Sequence, residues 1–349
     1  MKNLKLSIIL LVCITLLFSL TAPTLAVSPA NMYVHFIDVG QGDSELIISP
    51  TGKTILIDGG EREAGPTVVN FLHSKGVKKI DILISTHAHE DHIGGLREVL
   101  RQFPVGLIID SGKKHTTATY KAYLKMILAK NIKLTLAKTG ATYDLGGGAK
   151  LQIVYCNPNA EDLNNSSVVA KVTYGQVSAL FMGDLESAEE GNIKTQATVL
   201  KVGHHGSRTS TSDTLLRVVK PKEAIVSCGT NNEYGHPHDV TMKRLASYGI
   251  KTYRTDKSGN ITLTTDGKTY AISAKPSGFA PVPVSKIVKQ KSEGSSSSSG
   301  SGNYIGNKNS HKFHRATCSR LPAESNRVYF KSRDKAIADG FEPCKICEP

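Results

Sequence analysis

Six consecutive positions, His87-Ala88-His89-Glu90-Asp91-His92, carry three imidazoles and two carboxylates, and only Ser85 and Thr86 separate them from the apolar run "KIDILI" at residues 79–84. The run reads as a buried strand, so the fold must bring a dense set of titratable groups to the end of one strand. Neutral imidazoles and carboxylates are the donors that hold Zn²⁺ or a similar divalent ion while leaving positions open. On a loop leaving a strand, His87 and His89 can point to one side, and Asp91 and His92 turn to a second position nearby. The spacing predicts two half-built metal sites, which ligands from distant segments must complete. Gly94 and Gly95 are expected to let the chain turn tightly into the next helix. The competing reading, a polar loop whose histidines cap a helix, does not account for three histidines and an aspartate at this spacing. Lone histidines such as His35 and His73 read as structural.

From about residue 32 to 275 the chain alternates β-type runs with helical ones. "YVHFIDV" (33–39), "ELIIS" (45–49) and "KTILID" (53–58) read as successive strands separated by glycine-containing turns. "GPTVVNFLHSKG" (65–76) reads as a helix with Pro66 near its start and Gly76 at its end. The rhythm continues through "DILIST", "GGLREVLRQF", "VGLIID" and "ATYKAYLKMILAK" (118–130). The second half repeats it, with strands in "AKLQIVYC", "SVVAKVTYG", "VSALFMGD", "ATVLKVG", "EAIVSC" and "IKTYRT". Helices fall in "TSDTLLRVVK" and "DVTMKRLASYG", and a hairpin in "GNITLTTDGKTYAI" closes the series. Two such halves around a double sheet predict a four-layer αββα sandwich; the order of elements alone also fits a simpler α/β sheet.

Outside this block the composition changes. Residues 1–26 combine a short basic start with the apolar run "LSIILLVCITLLFSL" and the small residues "TAPTLA". This reads as a signal peptide cleaved after Ala26, with an uncleaved anchor as the alternative, because the run is shorter than the roughly 20 residues that span a bilayer. Residues 276–303, rich in Pro, Lys, Ser and Gly, cannot bury enough apolar surface to order themselves and read as a linker. The formal net charge of +13 favours acidic partners such as nucleic acid, a wall polymer or an anionic membrane. Cys156 and Cys228 stand alone in apolar surroundings and read as buried small residues.

Behind the linker, residues 304–349 form a small basic module framed by "HKFHRATCSRL" and "GFEPCKICEP". Cys344-x-x-Cys347 has a zinc-knuckle spacing, and His314-x-x-x-Cys318 adds two donors of the right type. A structural zinc held by His314, Cys318, Cys344 and Cys347 would close a module too small to be stable by core burial. A redox pair at Cys344 and Cys347, or a disulfide involving Cys318, are the alternatives. The segment resembles the metal-binding domain of Ada-type DNA-repair proteins, with His314 where that family has a fourth cysteine.

The motif at residues 87–95 resembles the signature of the metallo-β-lactamase superfamily over residues 32–275. "FIDVGQGDS", "HAHEDHIGG", "NNSSVVAKVTYG", "LFMGDLE", "LKVGHHGSRTSTS" and "YGHPH" occur in that order. Together they are similar to the hydrolase domain of ComEC-type competence proteins. The resemblance implies a dinuclear centre of two divalent ions, zinc or manganese: His87 and His89 on one, Asp91 and His92 on the other, Asp184 bridging, and His205 completing the second. It also implies proton-handling roles for Asp91, His204 and His236, and substrate contacts from Ser207, Arg208, Asn165 and His238. His236 competes with His205 for its place. The superfamily's third histidine on the first ion is missing, and the stretch Asn164-Asn165-Ser166 stands there; the nearest alternative, His115, lies in a loop.

The expected activity is metal-assisted hydrolysis by an exported protein. DNA or another polyanion is the expected substrate, with cell-surface association as an option and no obligate protein partner. Two other readings stay open at this point. One is hydrolysis of a small phosphodiester or lactone ester; the other is a non-catalytic DNA-binding surface protein whose metal site is structural.

Overall fold

The strands of the fold take their sides from simple alternation. In β2 (Glu45–Ile48), β3 (Thr54–Ile57), β4 (Ile80–Ser85) and β5 (Val105–Asp110), one set of apolar residues faces a second sheet and the next set faces helices. Ile47, Ile55, Ile57, Ile84 and Ile109 enter the inter-sheet core, whereas Leu46, Leu56, Leu83 and Ile108 pack on helices. The computed structural model describes residues 30–279, 304–315, 318, 321–330, 333–344 and 347.

The first sheet also holds β1 (Met32–Phe36), β6 (Leu134–Leu136), β14 (Ile261–Thr265) and β15 (Tyr270–Ile272), in the order β15-β14-β1-β2-β3-β4-β5-β6. The second is built from β7 (Thr142–Gly146), β8 (Ala149–Tyr155), β9 (Val169–Tyr174), β10 (Val177–Phe181), β11 (Val199–Lys201), β12 (Glu223–Val226) and β13 (Lys251–Arg254), in the order β13-β12-β11-β10-β9-β8-β7. The sheets pack face to face, with Phe36 and Phe181 meeting at 6.1 Å between ring centroids. Helices Gly65–Ser74, Leu96–Gln102 and Ala118–Ala129 cover the outer face of the first sheet. Asp213–Val219 and Asp239–Ser247 cover the second, through Leu215, Leu216, Met242 and Leu245. The protein is therefore a four-layer αββα sandwich.

Three features differ from the sequence expectation. β6 and β7, three and five residues long, lie at the sheet edges and are largely solvent-exposed; both alternate, as in Leu134-Thr135-Leu136 and Tyr143-Asp144-Leu145, but neither was expected as a strand. The closing hairpin does not extend the second sheet. It returns to the first, where Phe36 pairs with Ile261. Packing also continues past residue 275, because Ser277 and Gly278 both donate to the Thr252 carbonyl, at 2.8 and 3.0 Å.

The C-terminal module forms its own four-stranded sheet in the order β18-β16-β17-β19, from β16 (Tyr304–Asn307), β17 (Lys312–Arg315), β18 (Arg327–Phe330) and β19 (Glu342–Pro343). Its core is small: Phe313, Phe330 and Ala336. Among the described residues no helix is long and apolar enough to cross a membrane. The proposed signal peptide and most of the linker lie outside the described residues.

Candidate metal centre

The strands that matter for the site run parallel in two groups, β3-β4-β5 and β10-β11-β12-β13. Ligand sites in α/β sheets collect at the carboxyl ends of parallel strands, and that geometry holds here. Asp58 follows β3, the His87–His92 loop follows β4, Asp184 follows β10, His204 and His205 follow β11, and His236 lies beyond β12. Residues far apart in sequence thus meet at one edge of the sandwich.

Two donor clusters abut there. His87, His89 and Asp184 form one; Asp91, His92, Asp184 and His205 form the other, with ligand atoms in each within 4.8 Å of one another. Asp184 gives one oxygen to each. Its Oδ2 lies 3.8 Å from His87 Nε2, and its Oδ1 lies 3.2 Å from His92 Nε2 and 3.5 Å from His205 Nε2. His87 Nε2 and His89 Nδ1 face each other at 3.0 Å. Asp91 Oδ2 lies 3.1 Å from His205 Nε2.

The interior of this assembly fits cations. His92 Nε2 and Asp184 Oδ1 are buried and lack a hydrogen-bond partner although they are 3.2 Å apart, so they are misaligned for bonding each other and converge on the space between the clusters. Burial alone would favour neutral forms, yet His92 is held well above the ordinary imidazole range by Asp184, Asp91 and Asp58. His205 is likewise raised against burial by Asp184 and Asp43. Burial opposes ionisation of Asp184, but His92 and His205 hold it well below the usual carboxylate range. A negative, buried pocket of this kind takes up positive charge, as protons or as metal ions. His87, by contrast, is pushed well below the usual range by burial and by His92, which keeps it a neutral donor.

Residues absent from the sequence expectation fix the rings. Asp58 accepts from His92 Nδ1 at 2.7 Å, from the Thr86 hydroxyl at 2.6 Å and from the Thr86 amide at 2.8 Å. This turns His92 Nε2 toward Asp184. Asp43 Oδ1 lies 3.2 Å from His205 Nδ1, while its Oδ2 accepts from Lys201 Nζ at 2.7 Å, all three side chains about 1% exposed. Ser167 accepts from the Asp184 amide at 3.1 Å and sits 3.3 Å from His87 Nδ1. One signal for this shell was readable: Lys201 is a charge inside the apolar run "ATVLKVG".

Geometry also sorts the other expected residues. His204 and His205 both adopt left-handed backbone, φ 48° and 52°, and the next residue, Gly206 at φ 82°, leaves no room for a Cβ, which would fall 2.5 Å from Pro237. His205 joins the metal cluster, while His204 Nδ1 bonds Glu186 at 3.0 Å and its Nε2 lies 3.8 Å from Asp184. His236 stays outside the clusters, its ring 6.2 Å from that of His205. Burial, with His205, His204 and His238, pushes His236 down to about 3, which favours its neutral form. Asp91 is held in its ionised form, because His92 and His205 outweigh its burial, and that form suits a metal ligand.

The expected substrate contacts divide. Asn165 faces away from the cleft: its carbonyl oxygen accepts from the Glu186 amide and its amino group donates to Asp162 Oδ2 at 2.8 Å. Ser207 is buried and bonds Thr209 at 2.9 Å. Arg208 and His238 line a neighbouring depression with Lys243, and Arg208 also lies 3.7 Å from Glu342. His115 bonds Thr117 and belongs to neither cluster. The Gly94–Gly95 step is not a turn requirement, since both residues are α-helical. Gly95 is needed for close approach instead: a Cβ there would lie 2.1 Å from the Gly59 carbonyl oxygen.

An open cleft of about 290 Å³ exposes the clusters, lined among others by Gln41, Asp91, Asp184, His204, Tyr234 and His236. In the C-terminal module, parallel pairing of Phe313 with Pro343 brings His314, Cys318, Cys344 and Cys347 within 4.8 Å of one another.

Sandwich and clusters together define a metal-binding hydrolase fold, and the chain belongs to the metallo-beta-lactamase superfamily, whose family model matches residues 37–230. Residues 296–349 match the metal binding domain of Ada. Among curated proteins, the chain is 34% identical to "ComE operon protein 3" of Bacillus subtilis, over 65% of this chain and 32% of that protein. It is 32% identical to "Recombination protein 2" of Haemophilus influenzae, over 73% and 31% respectively. It is 30% identical to "Competence protein ComA" of Neisseria gonorrhoeae, over 64% and 31%. The chain thus spans about a third of the length of these relatives, and the likeness to ComEC-type hydrolase domains holds. It is a metallo-hydrolase of that kind, with a zinc-binding module at its C-terminus.

Proposed function

We propose that the protein is a metal-dependent phosphodiesterase acting on DNA outside the cytoplasm. The observation that carries the chemistry is the split carboxylate of Asp184, one oxygen toward each cluster, at the floor of an open cleft. His87, His89 and Asp184 would hold one divalent ion; Asp91, His92, Asp184 and His205 would hold the second. When bound, such a pair supplies a nucleophile from water and neutralises charge developing on phosphoryl oxygens. Relatives named as a competence protein and a recombination protein favour DNA as the phosphodiester, and the +13 net charge favours a polyanion.

The chain's own residues supply orientation and a proton. Glu186 fixes the His204 tautomer, so Nε2 faces the cleft and can deliver its proton to the departing oxygen. Burial would lower His204, but the Glu186 hydrogen bond and the Asp184 charge outweigh it and raise it, which favours its protonated form. His89 and Asp91 line the cleft floor, and Arg208, Lys243 and His238 present positive or donor groups beside it.

The test is turnover by the purified full chain of plasmid DNA and of a small chromogenic diester, each with Mn²⁺ or Zn²⁺. Plasmid cleavage is expected. Turnover of the small diester with intact plasmid would overturn the substrate, and DNA binding without turnover under either metal would overturn the catalysis. Glu186→Gln is expected to lower kcat by about 10²-fold or more. It should also move the alkaline limb of kcat to lower pH, since His204 loses the partner that holds its proton. Export is tested separately by N-terminal sequencing of protein recovered from outside the cell, with Val27 expected as the first residue.

A further inference from the structure

Tyr234 is an exposed aromatic residue that the fold does not account for. Its side chain stands at the lip of the cleft, 56% exposed, in a loop that hydrogen bonds hold in shape. Asn232 Nδ2 donates to the carbonyls of Gly229 at 2.8 Å and His236 at 2.6 Å, and its Oδ1 accepts from the His236 amide at 2.9 Å. The base of the same loop is anchored where the Gly229 amide donates to Gln41 Oε1 at 3.2 Å. The ring lies nearly parallel to His236, at 5.6 Å between centroids and 22° between planes. His236 is 9% exposed, and its Nδ1 is buried without a partner.

The two sides of the cleft present different groups. Burial raises the Tyr234 phenol, and the nearby acids Asp91, Glu233 and Glu61 add to it. Beyond His236, whose ring is 4.9 Å from His238 and 5.4 Å from His204, lie Arg208 and Lys243. On this second side Arg208 lies 3.7 Å from Glu342 and Lys243 3.7 Å from Asp239, both as exposed pairs, so a phosphate finds cations and imidazoles there but only carboxylates around Tyr234. A neutral planar ring suits the first side: it carries no charge to repel, and it gains a stacking surface.

We infer that Tyr234, braced by Asn232 and backed by His236, is a stacking platform for a nucleobase of a DNA strand whose phosphates run toward His204, His238 and Arg208. This rests on the proposed action on DNA and adds the orientation of the strand. The platform is sequence-tolerant, because every base has a π-face. Tyr234 is a binding residue and takes no part in proton transfer.

The experiment uses the full chain with divalent metal and two single-stranded oligonucleotides, one complete and one carrying a run of abasic sites. Cleavage and binding by fluorescence anisotropy are both measured, for wild type, Tyr234→Ala and Tyr234→Phe. Tyr234→Ala is expected to weaken binding of the complete strand by about 5- to 150-fold, Tyr234→Phe to retain it, and the abasic strand to bind all three alike. The loss should appear in KM, with kcat at saturation little changed. Equal binding of the complete strand by wild type and Tyr234→Ala overturns the platform. So does an equal loss in Tyr234→Ala for complete and abasic strands. If no strand is cleaved, catalysis on DNA fails while the anisotropy comparison still decides the platform; if no strand is bound, both ideas fail.

Discussion

Asp58 adopts a left-handed backbone, φ 55°, and from there its carboxylate meets the His92 ring, the Thr86 hydroxyl and the Thr86 amide. In Asp58→Asn one oxygen becomes an NH₂ donor facing groups that must themselves donate, so the His92 tautomer is no longer fixed. Divalent-ion affinity is expected to fall about 10–100-fold, measured by competition with a chromogenic chelator; wild-type affinity would show that Asp58 does not orient the ligand. The same carboxylate-rich surroundings set a pH dependence. His92 and His205 are raised in the ion-free protein, so protons compete for their nitrogens at a pH above the ordinary imidazole value of about 6.5. Cation affinity should therefore begin to decline with falling pH while the pH is still above the ordinary imidazole value. Calorimetric titration across that range, in buffers of different ionisation enthalpy, should show protons released on binding. A flat profile would contradict the charge balance described. Of the residues in this paragraph, His92 was legible in the sequence because it lies within a dense motif. Asp58 was not, because one aspartate at the end of a strand looks the same whether it faces solvent or a ring.

At the level of elements, the site exists because five segments leave the carboxyl ends of parallel strands at one edge. Most strands were readable from apolar runs bounded by glycine. β6 and β7 were not, because their alternation runs over only three and five residues at exposed sheet edges, and the pairing of the closing hairpin with β1 was not, because register is a long-range property. The join between the metal-binding loop and the next helix is tight: Gly95 packs on the Gly59 carbonyl, next to Asp58, and the Gly59 amide donates to the His92 carbonyl at 2.7 Å. Gly95→Ala forces backbone apart at this contact. An expected cost of about 1–3 kcal/mol should appear in denaturant unfolding, with metal affinity falling in parallel. Unchanged stability would mean that the two segments separate without penalty.

For the whole molecule, the two parts are held together by different means. The sandwich buries three apolar clusters, whereas the core of the C-terminal module is Phe313, Phe330 and Ala336. Its folding should therefore depend on zinc. Cys344→Ser is expected to abolish amide-exchange protection across residues 304–344 while the sandwich keeps its own; protection that survives would assign the module's stability to its apolar core. What the sequence by itself determined is the donor chemistry and the alternation of strands and helices, because both are written in neighbouring residues: His87 to His92, Cys344 to Cys347, and the apolar periodicity of each run. Only the tertiary structure decided which atom faces which. His92 meets Asp58 across 34 positions, and Lys201 meets Asp43 across 158. Such contacts follow from sheet register and the packing of one sheet on the other, and no local pattern encodes them.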